Sequence, residues 1–196
     1  MDTYVYKYGN AVYINLTNRC TNACTFCIRV AHPGVGGHNL WIKEEPEARD
    51  VISLLEAEPE IEKAVFCGYG EPTMRLGVLL EVAKYLKSRG AAVRLDTNGQ
   101  GSAYNGRDIT PELKGLIDTV SISLNAPDAG RYQQLCRSNF GEEAYAHILD
   151  FAKGCLKQGI ETIFTVVDVI GPEQVEQSRK IAESIGAKFR VREYIE

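Results

Sequence analysis

Cys20-Thr-Asn-Ala-Cys24-Thr-Phe-Cys27 sets three thiols close together along the chain, at spacings of x3 and x2. Thiolates are soft ligands that suit iron–sulfur clusters and zinc. Three of them leave a 4Fe–4S cubane one protein ligand short, because full protein ligation takes four cysteines. The open iron would then accept a ligand from outside, which separates a catalytic cluster from one that only stores an electron. Other readings of the trio stay open at this point. A structural zinc site wants a fourth ligand, which His32, His38 or Cys67 could supply. An electron-transfer cluster could take Cys67 as its distant fourth ligand. A trio of plain core cysteines fits less well with a loop that also carries Thr, Asn and Arg.

Three further segments carry residue types suited to holding a ligand. In Gly68-Tyr-Gly-Glu-Pro72 small residues let the backbone approach a ligand, and Glu71 can accept from an ammonium group. A plain strand-to-helix turn opened by Pro72 would read the same way. Leu95-Asp-Thr-Asn-Gly99 contains Asn98-Gly99, which alone is only a turn signal. Ser121-Ile-Ser-Leu-Asn125 alternates polar and apolar residues, so Ser121, Ser123 and Asn125 share one face of a strand. They are either ligand contacts or polar side chains satisfied inside a small barrel.

These segments need elements to position them. Residues 12–16 read as a strand that runs into the cysteine loop. A helix follows from Glu45-Pro46 to about Ala57, with Val51, Leu54 and Leu55 on one side. Further strands are expected at 63–67, 92–96, 118–124, 161–169 and 188–192, and 3–8 adds a small edge strand. Helices are expected at 75–88 (closed by Arg89-Gly90), 111–115, 128–135, 142–157 and 173–185. Strands alternating with helices imply right-handed crossovers and a mainly parallel sheet. An open doubly wound sheet and an incomplete barrel both satisfy that pattern. In either, ligands bind beyond the carboxyl ends of the strands. Residues 17–27, 68–72, 96–99 and 123–125 all fall there.

No linker, low-complexity tract or internal repeat divides the 196 residues, so one domain over 1–196 is expected. The composition, 44% apolar and 24% charged, is that of an ordinary soluble protein. A net charge of −4 argues against a general nucleic-acid or membrane-surface binder. Residues 1–10 lack the apolar core of a signal peptide, and no apolar run approaches the length of a membrane span. A cytoplasmic location is expected, where thiols stay reduced. The six cysteines are therefore expected as ligands, reactive thiols or core residues rather than as three disulfides.

Together these segments resemble the radical S-adenosylmethionine (SAM) superfamily. Its hallmark is C-x3-C-x2-C after the first strand of a partial (β/α)6 barrel, commonly with an aromatic before the last cysteine, here Phe26. The resemblance covers essentially the whole chain and implies an α/β fold, a partial (β/α)6 TIM-like barrel with a mainly parallel sheet. It implies that Cys20, Cys24 and Cys27 hold a 4Fe–4S cluster whose open iron is chelated by the amino and carboxylate groups of SAM. One electron from the reduced cluster would then cleave the sulfonium, giving methionine and a 5′-deoxyadenosyl radical that abstracts hydrogen from a substrate. Residues 68–72 are similar to the superfamily's Gly-Gly-Glu-Pro segment, which binds the SAM amino group. With Tyr69 in place of the usual glycine, the contact is expected from the Gly70 backbone and Glu71.

Residues 95–99 resemble the Asp-Thr-Asn-Gly segment of glycyl-radical-enzyme activases. That likeness turns Thr97 and Asn98 toward the SAM methionine or ribose, or the substrate, and leaves Asp96 for a substrate or a cation. Ser123 and Asn125 become ribose contacts, and Val167 and Val169 could pack on adenine, although a buried strand would look the same. A flavodoxin or ferredoxin is the implied electron donor. An activase is the alternative within the superfamily; a non-enzymatic iron–sulfur carrier or redox sensor and a zinc-stabilised binding module are the rivals outside it.

Tyr6-Lys-Tyr-Gly-Asn10, residues 14–27 and Val35-Gly-Gly-His-Asn-Leu-Trp41 form a narrower pattern. It is similar to short radical SAM proteins linked to TatD-family metal-dependent hydrolases, which implies a pathway link to such a hydrolase. The glycine-rich stretch 29–41 could cover the site, with His38 as an acid/base candidate, or Leu40 and Trp41 could anchor an ordinary loop. Cys67 could approach the cluster or be a buried free cysteine. Cys136 could be a reactive thiol or an ordinary helix-end residue, and Cys155 is expected in the core.

Overall fold

The computed structural model describes residues 2–194. β1 (Val5–Tyr8) and β2 (Ala11–Ile14) form an antiparallel hairpin that leads into the cysteine loop. That loop ends in one helical turn, α1 (Ile28–Ala31), and a small ribbon of β3 (Gly34–Val35) and β4 (His38–Asn39). The repeating part follows with α2 (Ala48–Glu56), β5 (Lys63–Phe66), a 3-10 turn (Pro72–Arg75) and α3 (Leu76–Ser88). Then come β6 (Ala92–Thr97), the short α4 (Gly101–Tyr104) and α5 (Thr110–Leu113), and β7 (Thr119–Ser123). The chain closes with α6 (Ala129–Cys136), α7 (Glu143–Lys157), β8 (Glu161–Val167), α8 (Pro172–Ser184) and β9 (Lys188–Arg192).

The sheet runs in the order β1-β2-β5-β6-β7-β8-β9, with β1 antiparallel to β2 and every other neighbouring pair parallel. A doubly wound sheet reverses its strand order part-way. Here the parallel strands stand side by side in chain order, so each right-handed crossover lays its helices on the same face. The other face is left to curve into an incomplete barrel, and this decides between the two architectures that the alternation of elements allowed.

Side-chain alternation divides the two faces. Phe66, Val93, Leu95, Val120, Ile122 and Phe164 turn to the helices and are buried there. Arg94, Asp96, Ser121, Ser123 and Thr165 occupy the opposite, inner face, as the register of Asp96 with Ser121 and of Ser123 with Thr165 requires. The inner face therefore mixes these polar side chains with Val65, Ile163 and Val167, which the same register sets beside them.

Element ends differ from the expected ones by a few residues. β2 stops at Ile14, β7 at Ser123 and β8 at Val167. The helix expected from Glu45-Pro46 starts at Ala48, because the Glu47 backbone N–H donates to Asp50 Oδ2 at 3.0 Å and caps it there. Its buried stripe is Ala48, Val51 and Leu55; Leu54 lies roughly a quarter turn away and is 40% exposed. Burying Val51 and Leu55 contributes about 2 kcal/mol each. Among the described residues, no helix is long and apolar enough to cross a membrane.

Candidate functional site

The carboxyl ends of the parallel strands open on a cavity of about 410 Å3, and Cys20, Cys24 and Cys27 all line it. The cysteine loop is laced into place from three sides. Asn98 Nδ2 donates to Thr21 Oγ1 at 2.8 Å and to Cys20 Sγ at 3.7 Å, and the Asn22 backbone N–H reaches the same sulfur at 3.4 Å. Arg29 donates to the carbonyls of Asn18 (3.1 Å), Tyr69 (3.2 Å) and Asn22 (3.4 Å), drawing the loop onto the turn after β5. The end of α6 supplies the third side: Ala23 N donates to Cys136 O at 3.0 Å and Thr25 N to Leu135 O at 2.9 Å.

Beneath the loop lies a buried polar network. Asn22 Nδ2 donates to the Tyr132 hydroxyl at 2.8 Å, Gln100 Nε2 reaches both Asn22 Oδ1 and that hydroxyl at 2.9 Å, and Ser138 Oγ donates to Gln100 Oε1 at 2.8 Å. Asn22, Gln100 and Tyr132 were not foreseen from sequence, and Arg29 only as part of the 29–41 stretch. The partners of Asn22 lie 78 and 110 residues away, so nothing local marks them.

Burial pushes Cys20 up to about 11 and raises Cys27, while Cys24 is raised by its hydrogen bond with Cys136 and by burial. A metal ligated here would have to displace those protons. Among the described residues, no three His, Cys, Asp or Glu side chains converge on a single ion. His38 rests its ring on Tyr6, with centroids 5.2 Å apart, and does not line the cavity.

Glu71 locks two strand ends together. Its Oε1 accepts from Thr73 N (3.1 Å), Thr73 Oγ1 (2.6 Å) and Thr97 Oγ1 (2.8 Å), and its Oε2 from Asn98 N (2.7 Å). Burial raises its pKa, and the donors from Asn98, Thr73 and Thr97 pull it back. A carboxylate has about four lone-pair sites. Oε2 therefore keeps an open position, on a residue that lines the cavity.

Thr97 and Asn98, expected to face a ligand, have their polar atoms engaged with the protein. The Thr97 hydroxyl also accepts from Gly99 N at 3.0 Å, and Asn98 Oδ1 accepts from Gln100 N at 2.9 Å. Both still line the cavity, so what they offer directly is surface. Gly70 presses on the cysteine loop so closely that a Cβ there would lie 2.3 Å from Thr17 O and 2.4 Å from Arg19 O.

Residues 14–185 match the profile of the radical SAM superfamily. The chain belongs to the radical SAM superfamily. Members of that superfamily are enzymes that use a 4Fe–4S cluster and SAM. A putative glycyl-radical enzyme activating enzyme of Methanocaldococcus jannaschii is 31% identical over 125 residues, which cover 60% of this chain and 49% of that one. The chain thus spans about half the length of this curated relative. Among solved structures, SuiB of Streptococcus suis bound to SAM superposes with a TM-score of 0.72 at 17% identity, over 94% of this chain and 40% of SuiB. A radical SAM methyltransferase of Sphaerobacter thermophilus gives 0.61 at 13% identity, over 96% and 68% of the two chains. At such identities the likeness is one of fold.

For a radical SAM chain the remaining wall of the cavity is instructive. Asn125 lies two residues beyond the end of β7 with a left-handed φ of 55°, is 3% exposed, and leaves its Oδ1 without a partner. An orphaned acceptor in a cavity wall suits a ligand hydroxyl, and this is the point at which the residues present fit SAM. Ser123, Phe26 and Val167 line the same cavity. The Ser123 hydroxyl accepts from Arg192 Nη2 at 3.4 Å. Val169 lies beyond the end of β8, is 41% exposed and does not line the cavity, so it offers no packing for an adenine.

The other cysteines separate by environment. Cys67 faces the cavity, but its charged neighbours are Asp96, Arg192 and Arg94, whereas Cys20 and Cys27 have Glu71, Cys24 and Arg29 beside them. Cys67 thus sits directly after β5, among Asp96, Arg94 and Arg192. Asp96 is held there by Arg94 Nε at 2.8 Å. Cys155 is buried in the helix layer, as expected. Cys136 is the fully buried last residue of α6, set against Cys24.

Proposed function

We propose that the chain is a radical SAM enzyme in which Cys20, Cys24 and Cys27 bind a 4Fe–4S cluster and the adjoining cavity wall binds SAM. The observation that carries this is the meeting, in one cavity, of the three thiols with Gly70, Glu71 and Asn125, whose Oδ1 is buried and unpartnered. When bound, the cluster supplies an electron that cleaves SAM to methionine and a 5′-deoxyadenosyl radical, which takes a hydrogen atom from the substrate. The protein contributes position and electrostatics. Glu71 Oε2 and the Gly70 backbone hold the SAM amino group, and Asn125 and Ser123 take its ribose hydroxyls. Thr97 and Asn98 fix Glu71 and the cysteine loop, and Phe26 walls the site next to Cys27.

Anaerobic reconstitution, dithionite reduction with SAM and chromatography for 5′-deoxyadenosine test the proposal. Product is expected; its absence from a chain that holds an intact cluster and bound SAM overturns the reading. The same assay removes the carrier or sensor alternative.

A second reading, activation of a glycyl-radical enzyme, is supported by the archaeal relative and by the Asp96–Gly99 segment. Co-incubation with a candidate partner and glycyl-radical EPR would test it. The pattern of residues 6–10, 14–27 and 35–41 supports a place among the TatD-linked radical SAM proteins. Co-purification with a TatD-family hydrolase tests that link. We also infer a single domain over 1–196, a cytoplasmic location and a flavodoxin or ferredoxin donor; reduction by either protein in place of dithionite checks the last.

A further inference from the structure

β9 is the last strand of the sheet, and its residues alternate as Lys188-Phe-Arg-Val-Arg192. Phe189 turns to the helices, where it packs on the core and carries the Arg179 guanidinium over its ring at 4.8 Å. The alternate positions therefore face the barrel interior, Lys188 beside Ile163, Arg190 beside Thr165 and Arg192 beside Val167. All three are cations, and they are not equally committed. Lys188 forms an ion pair with Glu161, and Arg94, a further cation of this face, is held by Asp96 at 2.8 Å. Among the described residues, no carboxylate forms an ion pair with Arg190 or Arg192.

Arg192 lines the same cavity as the cysteine loop. It spends one of its five N–H donors on Ser123 Oγ, at a long 3.4 Å. Its backbone is fixed, since Arg192 O accepts from Asp168 N at 3.0 Å and Asp168 Oδ1 accepts from Tyr194 N at 2.7 Å. Glu193 lines the cavity too, yet neither arginine pairs with it. On charge, this wall favours an anion. Cations on an open edge strand also guard it against pairing with another chain, a task that lysine serves. Arginine offers more, because its planar fork matches a carboxylate or a phosphate with two parallel hydrogen bonds. Two such forks, two residues apart on one face and beside the Ser123 hydroxyl, converge on one anion.

We propose that Arg190 and Arg192 form a substrate subsite for an anionic group, a carboxylate or a phosphate, at the β9 wall of the cavity. The substrate is thus an anion held by its charged end at β9, with its reacting part turned toward the cysteine loop. This rests on the radical SAM reading given above.

The test is calorimetric titration of the anaerobically reconstituted full chain at constant ionic strength, with and without saturating SAM. Inorganic phosphate is the probe in one arm and acetate in the other. Wild type should bind at least one of them in the presence of SAM. Arg192→Gln should weaken that binding about tenfold or more, and Arg190→Gln should weaken it in the same direction. Arg192→Lys, which keeps the charge and loses the fork, should fall between wild type and Arg192→Gln. Arg107→Gln, whose partner Glu112 lies outside the cavity, should bind as wild type does. Binding of phosphate alone would assign a phosphate-bearing substrate, and binding of acetate alone a carboxylate. A wild-type chain that binds neither anion, or an Arg192→Gln chain that binds as wild type does, would overturn the proposal. So would binding that disappears when SAM is added, because the arginines would then hold SAM's own carboxylate. Arginine-dependent anion binding without 5′-deoxyadenosine formation would instead refute the radical SAM reading and leave the anion site standing.

Discussion

The Asn98 backbone N–H donates to Glu71 Oε2 across 2.7 Å, tying the turn after β5 to the end of β6. From Asn98 the connection continues through Nδ2 to Thr21 and Cys20. Glu71 thereby acts on the cysteine loop without touching a cysteine. Glu71→Ala would strand the buried donors of Thr73, Thr97 and Asn98, at a cost of about 3 kcal/mol or more. Glu71→Gln, which replaces one acceptor oxygen by a donor, should cost about 1–3 kcal/mol. Urea unfolding under anaerobic conditions reads the loss, and equilibrium dialysis reads the accompanying loss of SAM binding. Wild-type stability in Glu71→Ala would show that these hydrogen bonds do not hold the strand ends.

Gly70→Ala places a methyl 2.3 Å from Thr17 O and 2.4 Å from Arg19 O. Both are backbone atoms of the loop that leads to Cys20, so no side-chain rotation relieves the overlap. The expected loss is about 2–3 kcal/mol, with a parallel fall in iron per chain after reconstitution. Unchanged iron content would mean that the loop shifts freely.

Glu45 organises the outer side of the same loop. It accepts from Thr17 Oγ1 and from Arg19 Nε and Arg75 Nη1, each guanidinium at 2.7 Å. Burial pushes its carboxyl up, but the bonds from Arg19, Thr17 and Arg75 outweigh that and bring it to about 2, below its ordinary 4.5. A depressed carboxyl stabilises the fold above pH 4.5, and this contribution is lost as pH falls toward about 2. Glu45→Gln should therefore lower the urea midpoint at neutral pH, with the gap to wild type closing between those limits. Iron-free chain is the material for this titration, since acid destroys the cluster; a gap that is constant with pH would contradict the assignment.

Serine at Cys20, Cys24 or Cys27 should each remove most of the iron and acid-labile sulfide, whereas Cys67→Ala should keep both. Metal and sulfide analysis after anaerobic reconstitution decides it. Iron loss from Cys67→Ala would bring Cys67 into the ligand set, against its place beside Asp96, Arg192 and Arg94.

Much of the architecture is legible in the chain because it is written at short range. The x3 and x2 spacings of the cysteines, the alternation along residues 121–125 and the Gly68–Pro72 turn each need only a few neighbouring residues to be read. Helix starts were less legible: Glu45, expected to open α2, instead serves Arg19 and Arg75, which sequence does not place near it. His38 likewise offered a polar side chain at a suggestive distance along the chain, and its ring turned to Tyr6.

What the sequence determined by itself was the chemistry available and the strand ends that would carry it, since ligand type and backbone period are properties of local segments. Only the tertiary structure decided how those ends meet. Strand order runs without reversal, which no periodicity encodes, and it makes β5 and β6 neighbours. That adjacency brings Glu71 to Thr97 and Asn98, and the return of α6 under the loop brings the Cys136 carbonyl to the Ala23 N–H. Buried polar groups demand partners wherever the fold offers them. Glu71, read from the chain as a ligand contact, is for that reason also the hydrogen-bonded tie between the two strand ends.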